Sequence, residues 1–236
     1  MIYITGDTHR NIDIEKLETK HFPEGQKLTR NDYLIITGDF GGIWYGDERD
    51  EEVLNYFEKK KYTTLFVDGN HENFDALATY PVNIWKGGKV QVIRDNLIHL
   101  MRGQVYDIDD KIFFTFGGGT SIDKNNRIPN VSWWPEEIAN FKEINEAIDN
   151  LKEYKNKVDY IITHVAPEEI IKDKFYKYSK IECSMEKFMN YIYENVKYKM
   201  WFCGHYHKDI WLSKEHIQIL YKNIVKLSNG YPIMNR

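Results

Sequence analysis

Ile2-Tyr3-Ile4-Thr5-Gly6-Asp7-Thr8-His9 opens the chain directly after Met1. Its first four residues are a β-rich run, and the run stops at Gly6 with Asp7 and His9 close behind. The same phrase returns. Tyr33-Leu34-Ile35-Ile36-Thr37 ends at Gly38-Asp39, and Thr63-Thr64-Leu65-Phe66-Val67 ends at Asp68-Gly69-Asn70-His71-Glu72. Between these runs, residues 11–20 carry Ile12, Ile14 and Leu17, and residues 50–60 carry Val53, Leu54, Tyr56 and Phe57. Both intervals read as helices. Short, near-continuous apolar strands alternating with helices predict a parallel sheet covered on both faces.

Further on the character changes. Residues 90–93, 97–101, 104–108 and 111–116 read as consecutive strands, with Asp109-Asp110 as a tight hairpin turn. Residues 120–135 form a polar loop holding Trp133 and Trp134. A helix follows over 136–155, with Ile138, Phe141, Ile144, Ala147, Ile148 and Leu151 at helical spacing. Tyr160-Ile161-Ile162-Thr163 precedes His164. A helix over 184–196 leads to Met200-Trp201-Phe202-Cys203, which ends at Gly204-His205-Tyr206-His207. Residues 210–212, 217–221 and 224–227 look like antiparallel strands. Parallel-then-antiparallel order predicts two packed sheets. No repeat or linker divides the chain, so one α/β domain over residues 1–236 is the expectation.

Composition sets the outer bounds. The 236 residues are 42% hydrophobic and 29% charged, with 15 Gly and 6 Pro, which excludes disordered and collagen-like classes. No stretch approaches 18 apolar residues, so no membrane span is expected. The N-terminus lacks the basic and apolar regions of a signal peptide. Two cysteines, Cys183 and Cys203, form no framework, which fits a reduced, cytoplasmic protein. The net charge of −4 argues against bulk nucleic-acid binding. Residues 172–236 nevertheless hold 12 Lys+Arg against 6 Asp+Glu. That basic stretch is either a solvated face or an attraction for an anionic substrate. No obligate protein partner is evident.

Five of the 8 His fall at predicted strand ends. In a parallel α/β sheet, ligands bind outside the carboxyl ends of the strands, so these ends can share one crevice. Asp, Asn and His without thiolate suit Mn²⁺, Fe²⁺ or Zn²⁺, manganese first among them. Asp-x-His and His-x-His each aim two side chains the same way in extended backbone. Six to eight candidate ligands exceed what one tetrahedral ion needs and suggest two metals. Each motif alone has a plainer reading: Gly-Asp as a turn, Asn-His-Glu as a helix start. Their joint recurrence at strand ends sets these aside.

The five blocks, Asp-x-His, Gly-Asp, Gly-Asn-His-Glu, His and Gly-His-x-His, resemble the calcineurin-like metallophosphoesterase family in order and type over residues 5–207. The resemblance implies a four-layer α/β/β/α sandwich of two mixed sheets flanked by helices. It implies that Asp7, His9 and His207 hold one divalent ion and that Asn70, His164 and His205 hold a second. Asp39 would bridge them. His71 would be the general acid or a hydrogen-bond donor to the phosphoryl group, and a hydroxide at the metals would attack phosphorus in line.

Departures from the family narrow the substrate. The second block reads Gly38-Asp39-Phe40-Gly41-Gly42-Ile43-Trp44 and lacks the Arg that protein phosphatases of this family use to grip phosphate. The closing His205-Tyr206-His207 resembles the phosphodiesterase and nuclease branches. The expected substrate is therefore a phosphodiester or nucleotide, as a phosphorylated small molecule or nucleic acid. Alternatives are a phosphomonoesterase, such as a Ser/Thr protein phosphatase or dinucleotide-polyphosphate hydrolase, and a non-catalytic scaffold. Retention of all seven ligand candidates and His71 tells against the scaffold. Arg10, directly after His9, is the candidate substrate-binding residue. Phe40, Trp44 and Tyr206 are candidates for the pocket wall, and Trp133 and Trp134 for packing or base stacking.

Overall fold

The structure, a computed structural model, describes residues 1–175, 184–228 and 231–234. Cys183 and the basic residues Lys177, Lys180 and Arg236 lie outside them. In chain order the strands are β1 (Ile2–Thr5), β2 (Tyr33–Ile36), β3 (Thr63–Phe66), β4 (Val82–Trp85), β5 (Gly88–Arg94), β6 (Leu97–Leu100) and β7 (Gln104–Asp107). They continue as β8 (Ile112–Phe116), β9 (Tyr160–Thr163), β10 (Met200–Cys203), β11 (Ile210–Leu212), β12 (Ile217–Ile219), β13 (Ile224–Ser228) and β14 (Tyr231–Met234). The helices are α1 (Glu51–Glu58), α2 (Phe74–Leu77), α3 (Phe141–Glu153), α4 (Glu168–Lys174) and α5 (Ser184–Asn195).

Two mixed sheets result. One runs β14-β13-β1-β2-β3-β6-β5-β4 and the other β11-β12-β10-β9-β8-β7. β1, β2, β3 and β6 are parallel, as are β8, β9, β10 and β12. The strands are apolar on both faces because both faces are covered. Ile2 and Ile4 of β1 join Ile35, Leu65, Phe113, Tyr160, Ile162 and Phe202 in the layer between the sheets. Tyr3 turns the other way and packs with Leu34, Phe66, Val53, Leu54 and Phe57 under α1. In the second sheet Phe114, Ile161, Trp201 and Cys203 pack outward against Ala147 and Leu151 of α3 and Met189 and Ile192 of α5. This is the period of two expected of a strand. Each such aliphatic side chain contributes about 1.5–3 kcal/mol of burial. The four-layer α/β/β/α sandwich is therefore observed.

Several local expectations change. Residues 11–20 hold only a 3₁₀ turn, Ile14–Leu17, rather than a helix. Lys16 explains the difference, because its buried Nζ donates to the carbonyls of Gly6, Asp7 and Tyr221, tying the segment to two strand ends. The helix expected from residue 136 starts at Phe141, where Asn140 and Glu143 form a capping box. Phe141 is consequently off the buried stripe and 86% exposed. In the tail, β11 pairs antiparallel with β12 and β13 with β1, but β12 runs parallel to β10. β4 was not legible, since this edge strand alternates no burial and pairs only with β5. The short helices α2 and α4 also escaped the pattern. Asp109 and Asp110 both take left-handed backbone, φ 54° and 58°, as a two-residue hairpin requires. No helix among the described residues is long and apolar enough to cross a membrane.

Candidate metal centre

The carboxyl ends of β1, β2, β3, β9 and β10 meet at one edge of the sandwich. Asp7, Asp39, Asn70, His164 and His205 each lie within four residues of the strand that delivers them. A glycine precedes each of these except His164, and these glycines permit the convergence. A Cβ on Gly38 would stand 2.1 Å from His164 Nδ1, and one on Gly204 would stand 2.1 Å from an Asp7 carboxylate oxygen. The ligand candidates also carry strain. His9, Asp39, His205 and His207 all have left-handed backbone, with φ of 42°, 47°, 69° and 51°. Such conformations cluster at functional sites because only the surrounding contacts hold them there.

Two donor groups form, and they share one residue. Asp7, His9, Asp39 and His207 offer ligand atoms that all lie within 4.8 Å of one another, as do Asp39, His164 and His205. His9 Nε2 is 3.1 Å from Asp39 Oδ2, and His207 Nε2 is 3.3 Å from Asp7 Oδ2. On the other side His164 Nε2 lies 3.3 Å from Asp39 Oδ1, 3.1 Å from Asn70 Oδ1 and 3.2 Å from His205 Nδ1. Asn70 thus joins the second group. The remaining nitrogens orient the rings. His9 Nδ1 donates to Asp13 Oδ2 at 2.8 Å and His164 Nδ1 donates to the Thr37 carbonyl at 2.9 Å, which points each Nε2 inward. Backbone amides fix the carboxylates: His71 N–H donates to Asp39 and His205 N–H to Asp7.

The field of this cluster calls for cations. Burial alone would lower the His9 and His164 imidazoles, yet Asp39, Asp7 and neighbouring acceptors lift them to about 9 and about 10. Burial would raise Asp39, and the facing histidines hold it well below the usual carboxylate range. His205, buried beside His164, falls to about 3 and is neutral. Imidazoles held protonated at neutral pH mark a place where buried carboxylates outweigh the positive charge around them. Oxygen and imidazole donors in two groups around a common carboxylate fit two divalent ions of the Mn²⁺, Fe²⁺ or Zn²⁺ kind.

His71 sits beside the cluster without joining either group. Its ring packs edge-on to His9 at 5.2 Å between centroids. Burial lowers its pKa, and nearby Arg127 adds to the effect. The next residue, Glu72, is buried and accepts from the Phe40 and Gly41 amides, clamping the loop that carries Asp39. A cavity of about 660 Å³ opens over Asp39, Asn70, His71, His205 and His207, with Ile122, Phe175 and Tyr206 among its apolar walls.

Two sequence assignments are corrected. Arg10 does not line this cavity. Its guanidinium is tied to Asp50 Oδ1 at 2.5 Å and to the Arg49 carbonyl, and it lies over the Tyr45 ring. A local carboxylate has claimed the charge expected to meet substrate. Phe40 is core rather than pocket wall, fully buried and stacked on Phe66 at 4.3 Å. Trp134 is buried under its loop, with Nε1 donating to Asp75, whereas Trp133 is half-buried. Arg127, not singled out in the sequence, lines the cavity with both Nη atoms 3.3–3.4 Å from the His71 ring nitrogens. A lone arginine in a polar loop gave no periodic or motif signal.

The calcineurin-like phosphoesterase family model matches residues 1–209, a span that holds all seven candidate ligands and His71. Among solved structures, phosphopantetheinyl hydrolase (PptH) from Mycobacterium tuberculosis is similar at 15% identity, over 93% of this chain and 87% of its own, with a TM-score of 0.44. Sulfate thiohydrolase SoxB from Thermus thermophilus is similar at 12% identity, over 94% of this chain and 41% of its own, with a TM-score of 0.45. No curated protein matches the chain.

Proposed function

The chain belongs to the calcineurin-like phosphoesterase family, and from that premise we propose that it hydrolyses a phosphodiester or nucleotide at a centre of two divalent ions. Metal-dependent phosphoester hydrolysis is the family's chemistry. The observation that carries the reading for this chain is the sharing of Asp39 between two donor groups on the floor of an open cavity. Asp7, His9, Asp39 and His207 would hold one ion, and Asp39, Asn70, His164 and His205 the other. Such ions, when bound, acidify water and neutralise phosphoryl oxygens. His71 would donate from its ring to the substrate, as general acid to the leaving group or as hydrogen-bond donor to the phosphoryl group. Asp13 and the Thr37 carbonyl would keep the ligand rings in the required tautomer.

The cavity supports the diester over the monoester. Its volume and its Ile122, Phe175 and Tyr206 walls leave room for a second organic group on phosphorus. His205-Tyr206-His207 supports the same reading. Manganese is the proposed ion from the donor set, the cytoplasm the proposed compartment from cysteine usage, and residues 1–236 one proposed domain. A phosphomonoesterase is favoured instead by one observation. Arg127 brings to the cavity a guanidinium of the kind missing from the second block. Turnover of bis-p-nitrophenyl phosphate and p-nitrophenyl phosphate by manganese-loaded protein separates the two. The diester is expected to show the higher kcat/KM. A monoester preference of about tenfold or more would overturn the diester reading.

A further inference from the structure

We propose that Arg127 is the cation that grips a phosphoryl oxygen in this site, delivered by the loop between β8 and α3. The inference rests on reading the site as a phosphoester hydrolase. The loop runs alongside the segment that follows β3 and meets it three times. Ser121 Oγ accepts from Asn70 Nδ2 at 3.2 Å, the Arg127 guanidinium lies against the His71 ring, and Trp134 Nε1 donates to Asp75 Oδ2 at 2.9 Å. Both ends of the loop are anchored, since Ser121 is also held by the buried Glu137 carboxylate through N–H at 2.9 Å and Oγ at 2.6 Å. Arg127 is thereby fixed over the candidate centre rather than left on a free strand of surface.

The contact with His71 is chemically incomplete. Nη1 is 3.4 Å from Nδ1 and Nη2 is 3.3 Å from Nε2. A guanidinium only donates, and a neutral imidazole has one accepting nitrogen, so the two contacts cannot both be hydrogen bonds. One guanidinium N–H therefore faces the imidazole N–H, and an oxyanion seated beside that pair would accept from both. Asp123 Oδ2 at 2.9 Å from Nη2 and the Ser132 carbonyl at 3.2 Å from Nη1 orient the fork. Neither uses all of its N–H groups, of which a guanidinium has five. Among the described residues Arg127 is the arginine that lines this cavity, alongside Lys174 and Lys208, and it is the one set against His71, whereas Arg10 is committed to Asp50. Guanidinium geometry matches the paired oxygens of a phosphoryl group.

The test compares wild type, Arg127→Ala and Arg127→Lys, each loaded with manganese. Inorganic phosphate binding is measured by calorimetry, metal content by elemental analysis, and KM and kcat on the two p-nitrophenyl esters. Arg127→Ala should weaken phosphate binding about 10- to 100-fold with metal content unchanged. Its loss in kcat/KM should be larger on the dianionic monoester than on the diester, and Arg127→Lys should recover part of the phosphate affinity. Phosphate binding within about twofold of wild type in Arg127→Ala, or loss of metal in both variants, would overturn the assignment. Wild type that turns over no phosphoester, while Arg127→Ala still loses phosphate affinity, sinks the hydrolase reading and leaves Arg127 as the anion-binding residue.

Discussion

His71 sits beside both donor groups, with its backbone amide on Asp39 and its ring free of either group. A residue so placed can be removed without dismantling the centre. His71→Ala is expected to retain its metals and to lose about 10²–10⁴-fold in kcat, with a smaller loss on esters whose leaving group needs no proton. Metal analysis and a leaving-group series check this, and an emptied site would make His71 a ligand instead. Asn-His-Glu was readable in the sequence, and the resemblance gave Asn70 and His71 separate tasks, but the role of Glu72 was not readable. Asn70 turns toward His164, His71 toward the cavity and Glu72 back into the Asp39 loop. Neighbours in sequence diverge because the backbone leaves the strand there and no fixed period governs it.

At the scale of elements, the end of β3 is tied to β6 and the following turn by a buried network. Asp68 receives Arg102 through Nε at 2.9 Å and Nη2 at 2.6 Å, and its other oxygen lies 3.1 Å from His99 Nε2. His99 Nδ1 in turn lies 2.8 Å from Gln91 of β5. Burial would raise the Asp68 carboxyl, but Arg102 and His99 hold it well below the usual carboxylate range. A carboxyl with a depressed folded pKa adds stability above its unfolded value, about 4, and loses that stability as pH falls further. Asp68→Asn is therefore expected to cost about 3–5 kcal/mol at pH 7, by leaving the buried Arg102 with only the longer 3.4 Å contact to Glu143 as its ion pair. It should also flatten the fall in stability below about pH 4. Urea unfolding at neutral and acid pH measures both effects, and an unchanged free energy at pH 7 would refute the account. His99 and Arg102 fall outside every sequence motif. Their role appears only when β6 pairs with β3 and brings them to Asp68.

At the scale of the whole molecule, the candidate centre joins the two sheets. Asp7, Asp39 and Asn70 come from one sheet, and His164, His205 and His207 from the other. Divalent ions held between them should stabilise the packing of the sandwich. Saturating Mn²⁺ is expected to raise the melting temperature by an amount corresponding to about 2.7 kcal/mol at a hundredfold excess over Kd. Chelator should reverse the rise. Asp39→Ala should reduce it more than any other single ligand change, because Asp39 alone belongs to both groups. Calorimetry with and without metal decides, and an Asp39→Ala protein with the full wild-type shift would remove Asp39 from its shared position.

Apart from β4 and β14, the strands, their order of appearance and the residues at their ends were legible in the sequence alone. Runs such as Ile2–Thr5 and Tyr33–Ile36 are apolar at every position or nearly so, and a strand buried on both faces has no other composition open to it. Glycine before Asp7, Asp39, Asn70 and His205 was equally legible, because a Cβ there would collide with a facing ligand residue at Gly38, Gly69 and Gly204 and with the Leu220 backbone at Gly6. What only the tertiary structure decided was where the long cationic side chains went. Arg10 and Arg127 are alike as sequence, each a basic residue in a loop. Folding set Asp50 against the first and the His71 ring against the second. A guanidinium at the end of a flexible stem takes its partner from whatever the fold brings within reach. Asp50 lies 40 residues from Arg10 and His71 lies 56 from Arg127, beyond any local pattern, whereas Asp123, which also holds Arg127, is a local contact four residues away.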